Sequence, residues 1–245
     1  MPVLSCSLPE AMSLVDLHCH ILHKIDDGPD DLAGAIAMAR AQVDAGVGRV
    51  VATPHVNRTY PNRSVEIKER HRELVDALAM EGVELKVEQG AEVAAVAAMQ
   101  LDEQELKSLR LGNSRWLLLE PPSEVDAVGI QSMVGEVQRR GHRILLAHPE
   151  RIEAFRREPA VLEAMVRGGI RTQVTASAIN GRFGPSTQRF LKKLFSAGLV
   201  SVVSSDAHDL IHRPPGLAGD LQLARHSDLI KELCMDRPTE ILDDE

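Results

Sequence analysis

Short runs of apolar and β-branched residues recur along the chain at positions 14–17, 49–53, 84–89, 116–119, 143–147, 171–175 and 200–204. Between them, segments 30–45, 64–81, 126–140, 159–168 and 185–197 place apolar residues three to four positions apart, the period of a helix with one buried face. Four of these segments lead into Gly46, Gly82, Gly141 and Gly198, residues suited to close a helix in the left-handed conformation. Most of the runs are apolar at successive positions, as in VVATPH and ILLAH, which is expected of parallel strands covered on both faces. Seven strand-helix units in about 230 residues predict an α/β fold close to the eight-fold barrel, which typically needs ~250 residues. An open doubly wound sheet is the alternative. No low-complexity linker divides the chain, so residues 14–245 are expected to form one domain after a short extension, residues 1–13.

The ends of the runs carry the chemistry. They read Asp16-Leu-His18-Cys-His20, Thr53-Pro-His55, Gly90-Ala-Glu92, Leu119-Glu120, Ala147-His148-Pro-Glu-Arg151 and Ser205-Asp206-Ala-His208. Every run but the sixth therefore ends in a possible metal ligand. In barrels of parallel strands the loops that follow the strands converge on one rim, where reactions take place. His18 and His20 stand two apart, which puts both imidazoles on one face and Cys19 on the other. Each element has an ordinary explanation by itself: Ile25-Asp-Asp-Gly-Pro29 makes a good turn, and a lone histidine is usually a satisfied core residue. Jointly they do not, since five of the ten histidines and four carboxylates would arrive at one rim buried and unpaired. A cluster of metal ligands is the expectation.

Composition narrows the class further. Lys and Arg total 28 against 36 Asp and Glu, and the net charge of −8 disfavours sequence-independent binding of nucleic acid. Three scattered cysteines give no disulfide framework and point to a reducing, cytoplasmic setting. No stretch is long and uncharged enough to span a bilayer. Counting six onward from Cys6, Cys19 and Cys234 reaches Met12, Ile25 and Glu240, so the Cys-x5-Arg signature of a thiolate phosphatase is missing. A Gly-x-Ser-x-Gly elbow and a Gly-x4-Gly-Lys cradle are missing too.

The set DLHCH, DDGP, TPH, GAE, LLLE, AHPER and SDAHDLIHRPP, spread in order from about Asp16 to Pro238, resembles the polymerase-and-histidinol-phosphatase (PHP) superfamily. Within it, the chain closely resembles the bacterial manganese-dependent protein-tyrosine phosphatases of capsule and exopolysaccharide loci. The resemblance implies a distorted (β/α)7 TIM-like barrel and three divalent ions, with Mn(II) favoured and Fe(II) or Zn(II) possible. It assigns His18, His20, Asp27, His55, Glu92, Glu120, His148, Asp206 and His208 as metal ligands, and Arg151 and Arg213 as arginines beside the substrate phosphate. Asp16 matches an acid that supports the first histidine pair. Asp206 and His208 are also the candidates for a general acid, beside their role as ligands.

Three divalent ions bring six positive charges against four carboxylate ligands, so the inner site is about +2 within a negative protein. A phosphate monoester dianion complements it, and a water shared between two ions is expected to supply the hydroxide that attacks phosphorus. The implied substrate is a phosphotyrosine protein, the tail of a cognate bacterial tyrosine kinase in polysaccharide export. A histidinol-phosphate or other small-molecule phosphatase is the first rival, and a non-catalytic phosphotyrosine-binding or kinase-binding module the second. The loop VNRTYPNRS after His55 lacks the second histidine or basic run common in relatives.

Overall fold

The computed structural model describes residues 13–223 and 227–244. The expected N-terminal extension, apart from Ser13, lies outside the described residues. Among the described residues nine parallel strands form one α/β domain: β1 (Leu14–Cys19), β2 (Val47–Ala52), β3 (His55–Val56), β4 (Lys86–Gln89), β5 (Glu92–Ala94), β6 (Trp116–Glu120), β7 (Arg143–Ala147), β8 (Arg171–Thr175) and β9 (Val202–Ser204). They lie in two sheets, β1-β2-β4 and β3-β5-β6-β7-β8-β9.

The difference from seven runs has a local cause. The second and third runs are each interrupted, so that β2 gives way to β3 around Pro54 and β4 to β5 around Gly90. Proline has no N–H for the ladder. At Gly90 a Cβ would stand 2.8 Å from Val51 Cγ1 and 3.0 Å from Leu111 Cδ2, so the backbone passes where no side chain fits. The bonds Gly90 N→Ala52 O (3.0 Å) and Glu92 N→Pro54 O (3.1 Å) carry the pairing across the two breaks. At the far side, Cys19 and Ala207 form a single parallel bridge. Asp206 N donates to His18 O and His20 N to Ala207 O, both at 2.8 Å.

The five expected helices form at Leu32–Asp44, Ser64–Met80, Ala127–Arg139, Pro159–Arg167 and Gly184–Ser196. Asp31 and Asp126 cap the first and third by accepting from Gly34 N (2.8 Å) and Gly129 N (2.7 Å). Gly46, Gly82, Gly141 and Gly198 all take positive φ just past helix ends, where a Cβ would be strained. Short helices at Ala95–Ala98, Glu103–Ser108, Glu153–Arg157, Ala176–Ile179, Ala218–Leu223 and Arg237–Leu242 were not legible, because four to six residues cannot display a 3.6-residue period.

Alternation along the strands sorts the core. Val50, Leu117, Leu119, Ile144, Leu146 and Val203 join the large cluster that includes the helices. Val51, Trp116, Leu118, Leu145 and Val202 join a second cluster with Leu111, Ile241 and Leu242. Both faces are thus apolar, as the continuous runs predicted, and each fully buried Leu or Ile contributes about 1.5–3 kcal/mol relative to exposure. With both faces filled by hydrocarbon, polar side chains collect at the strand ends. No helix among the described residues is long and apolar enough to cross a membrane.

Candidate metal centre

All nine residues singled out as ligands come together at the C-terminal ends of the strands. His18 Nε2 and His20 Nε2 lie 3.1 Å apart. Glu92 Oε2 is 3.4 Å from each, and Asp206 Oδ1 is 3.3 Å from the first and 3.7 Å from the second. Glu92 also contacts His55 Nδ1 (2.9 Å) and, through Oε1, His148 Nε2 (2.8 Å). On the outer side Asp27 Oδ1 approaches His208 Nε2 (3.4 Å) and His55 Nε2 (3.5 Å). Three groups have ligand atoms within 4.8 Å of one another: His20, Asp27, His55 and His208; His18, His20 and Glu92; and His55, Glu92 and Glu120. His18, His20, Glu92, His148, Asp206 and His208 are all buried.

The local backbone explains why these side chains turn inward. The β1 register shifts between Asp16 and Cys19, and Cys19 packs into the helix-side cluster while both histidines reach the site. Burial pushes the Cys19 thiol well above its ordinary value. His148 and Asp206 take positive φ, 32° and 54°, where the chain leaves β7 and β9. Left-handed backbone at a non-glycine residue costs energy and collects at functional sites.

A layer of hydrogen-bonding residues orients the ligands. His18 Nδ1 meets Gln173 Oε1 at 3.0 Å, and His20 Nδ1 meets Asp26 Oδ2 at 2.7 Å. An acceptor at each Nδ1 holds the proton there and leaves the two Nε2 lone pairs pointing at each other. Two facing lone pairs among carboxylates repel unless a cation draws them together, so this donor set fits divalent ions. Protons compete for the same place. Burial alone would lower the His20 pKa, but Asp26 and Glu92 outweigh it and carry it to about 10. Burial and the Arg151 charge push His148 down to about 4, while burial and the Glu92 charge raise Glu120 to about 7. Against the cost of burial, His18, Arg151 and Arg213 hold Asp206 well below the usual carboxylate range.

Asp16 is fully buried beneath this layer and accepts from Ser205 N (3.0 Å), Gln42 Nε2 (2.9 Å) and His18 N (3.3 Å), tying β1 to the segment that bears Asp206. Both arginines reach the site. Arg213 Nη2 lies 2.6 Å from Asp206 Oδ2 and its Nη1 2.8 Å from His208 Nε2. Arg151 pairs with the same Asp206 oxygen and with Thr175 Oγ1, and its guanidinium rests 4.0 Å from the centre of the Phe183 ring.

Three of these positioning groups carry no motif of their own in the sequence. Asp26 stands beside the expected ligand Asp27 and accepts from His20, Gly28 N (3.0 Å) and His55 N (2.9 Å). Gln173 and Thr175 belong to the sixth run, which lacks a terminal ligand. Their spacing of two was the available signal, since it puts both on one face of β8.

From Glu120, His148 and Arg151 a groove of about 1130 Å³ runs outward between the loop that follows His55 and the Pro121-Pro122 turn. Val56, Ala94, Ala95 and Ala97 contribute to its walls, with Arg58 and Arg63 on the loop side.

Known proteins resemble this chain in sequence and in fold. The chain is 33% identical over 198 residues to tyrosine-protein phosphatase YwqE of Bacillus subtilis, covering 80% of this chain and 78% of the relative. It is 26% identical over 243 residues to tyrosine-protein phosphatase CpsB of Streptococcus pneumoniae, covering 95% and 99%. A crystal structure from work on YwqE and CpsB, described as unique metal-dependent tyrosine phosphatases, superposes with a TM-score of 0.76 at 31% identity over 93% of this chain and 91% of that one. A lactonase from Listeria monocytogenes shares the fold alone, with a TM-score of 0.60 at 12% identity over 97% and 96% of the two chains. The family described as "Capsular polysaccharide synthesis, CpsB/CapC" matches residues 14–243, and this chain belongs to it.

Proposed function

We propose that the protein is a metal-dependent phosphomonoesterase acting on phosphotyrosine in proteins. The observation that carries this reading is the continuous set of nine imidazole and carboxylate ligands, flanked by Arg151 and Arg213, at the head of an open groove. His18, His20, Glu92, Asp206, Asp27, His55, His208, Glu120 and His148 would hold the ions, for which we propose three, with Mn(II) favoured over Fe(II) and Zn(II). When bound, such ions polarise phosphoryl oxygens and lower the pKa of water.

The chain's own residues do the rest. Asp26 and Gln173 fix the rings of His20 and His18, so that lone pairs rather than N–H groups face the reacting centre. Arg151 and Arg213 present forked donors to phosphoryl oxygens, a geometry suited to a dianion. Their present partner, Asp206, keeps both guanidiniums beside the ligands. Phe183 backs Arg151 from the far side. A phenolate leaving group has a pKa of about 10 and departs with little protonation, so no strong general acid is required of Asp206 or His208.

The groove is broad and reaches the surface, which favours a polypeptide over a small amino alcohol. We read the seven strand positions as a distorted (β/α)7 barrel closed by the bonds between His18, His20, Asp206 and Ala207. The proposed physiological substrate is the phosphorylated tail of a cognate bacterial tyrosine kinase in polysaccharide export, and the proposed location of the phosphatase is the cytoplasm. The test is phosphate release from peptides bearing phosphorylated Tyr, Ser or Thr, and from histidinol phosphate, with Mn(II) and with chelator. Chelator-sensitive preference for phosphotyrosine is expected. Faster turnover of histidinol phosphate, or none of any substrate, would overturn the reading.

A further inference from the structure

A second cleft, of about 1020 Å³, opens beside the catalytic groove. Arg63 lines the groove and the next residue, Ser64, lines the cleft. The partition between them is the start of the helix Ser64–Met80, tied down by Glu105, which accepts from Ser64 N (2.7 Å) and Ser64 Oγ (2.9 Å). In a protein of net charge −8, this cleft is locally positive: Arg49, Lys68, Lys86, Lys107 and Arg110 face it against two acids, Glu88 and Asp243.

Glu88 is already spent on Arg49 (2.5 Å) and Lys86 (3.1 Å). Lys68 has no carboxylate within 4.0 Å among the described residues, and Lys107 has only Glu103 at 3.9 Å. Arg110 is half-buried and its guanidinium donates to His142 Nδ1 (3.2 Å), again with no carboxylate within 4.0 Å among the described residues. Glu103 answers this guanidinium through His142, whose Nε2 lies 3.0 Å from Glu103 Oε1, and also faces Lys107, so one acid serves two of the cleft's cations. Of the C-terminal acids, Asp243 meets only Arg49 among the described cations, at 3.7 Å, and Asp244 is bound to Arg115 (2.8 Å) and Trp116 Nε1 (2.9 Å), away from the cleft.

We propose that this cleft is a docking site for an acidic segment of the polypeptide whose phosphotyrosine lies in the adjoining groove. The inference rests on the phosphatase reading for the phosphotyrosine end and on the charge of the cleft for the other. Cations spread along a cleft suit the spaced carboxylates of a peptide, and continuity with the groove gives one chain both contacts. Two linked contacts raise affinity beyond either alone.

The experiment compares two phosphotyrosyl peptides identical except that one carries a run of Asp and Glu and the other a neutral run, using the full chain with Mn(II). KM for the acidic peptide is expected to be about tenfold lower, with the advantage lost at high salt. The double variant Lys68→Glu/Lys107→Glu, at exposed helix positions, is expected to remove that advantage and leave the neutral peptide and p-nitrophenyl phosphate unchanged. Equal KM for both peptides in the unaltered protein would overturn the docking site. If neither peptide is hydrolysed, the phosphatase reading falls, and the cleft is judged by fluorescence anisotropy of the acidic peptide without phosphotyrosine: binding lost in the double variant supports it, and no binding refutes it. Displacement of that peptide by an oligonucleotide at equal affinity would assign the cleft to phosphate polyanions and also overturn the proposal.

Discussion

Asp206 is the residue on which the most contacts converge: it faces His18 and His20 with one carboxylate oxygen and both arginines with the other. Its replacement by alanine removes a ligand and the anchor of two guanidiniums, yet takes no hydrocarbon from the core. Asp206→Ala and His148→Ala are therefore each expected to lower kcat by at least ~10²-fold with a circular-dichroism spectrum like that of the unaltered protein. Full turnover in either would remove that residue from the site. Arg213→Ala should act on binding instead. Loss of a charge-assisted hydrogen bond is worth about 1.5–3 kcal/mol, which is roughly 10–100-fold in KM for a phosphopeptide. Asp26 separates positioning from ligation most cleanly. It touches His20 through Nδ1, the nitrogen turned away from the cluster, so Asp26→Asn keeps the shape but leaves an amide that can present N–H to that nitrogen. Mn(II) affinity measured by titration calorimetry should weaken ~10–100-fold, with activity recovered at high Mn(II). An unchanged affinity would show that the ring needs no such partner.

Elements decide which of these residues were legible. The loop between β1 and the first helix holds Asp26 and Asp27 through a contact too close for any side chain: a Cβ on Gly28 would lie 2.3 Å from His20 O. Gly28→Ala must displace the loop, at a cost of about 1–3 kcal/mol, and should weaken Mn(II) binding about tenfold while the rest of the fold persists. A variant with native metal affinity would show that the loop does not set the ligand positions. The same loop shows where sequence reading stops. Strand-end histidines stood out because polar residues directly after apolar runs break the pattern, and helix ends stood out at four glycines. The choice between Asp26 and Asp27 depends on which one bends back to His20, a matter of loop geometry that no periodicity records. Gln173 was invisible for the opposite reason: inside Arg171–Thr175 it reads as one more strand residue, and only the fold brings it from 155 positions away to His18. The interruptions at Pro54 and Gly90 lay in plain view as residues, but their effect, two sheets in place of one, depends on what packs against them.

At the scale of the whole molecule the ligands span the seam between the two sheets. His18 and His20 come from β1 and its end, whereas His55, Glu92, Glu120, His148, Asp206 and His208 come from the strands, or the ends of strands, of the six-stranded sheet. Along one side of that seam the backbone offers, among the described residues, a single isolated bridge, Cys19 to Ala207, with the few bonds around it. Ions held by ligands from both sheets would therefore act as cross-links where the ladder is weakest, and metal would contribute to folding as well as to activity. An ion at a hundred times its Kd stabilises the native state by about 2.7 kcal/mol, and for a chain of this size each kcal/mol raises Tm by about 2–4 °C. Mn(II) should thus raise Tm by about 5–10 °C, chelator should reverse the shift, and Mg(II) should do less because it binds imidazole poorly. Asp206→Ala should blunt the response. A melting curve indifferent to Mn(II) and chelator, in protein shown by metal analysis to start ion-free, would mean that the cluster does not join the two sheets through metal.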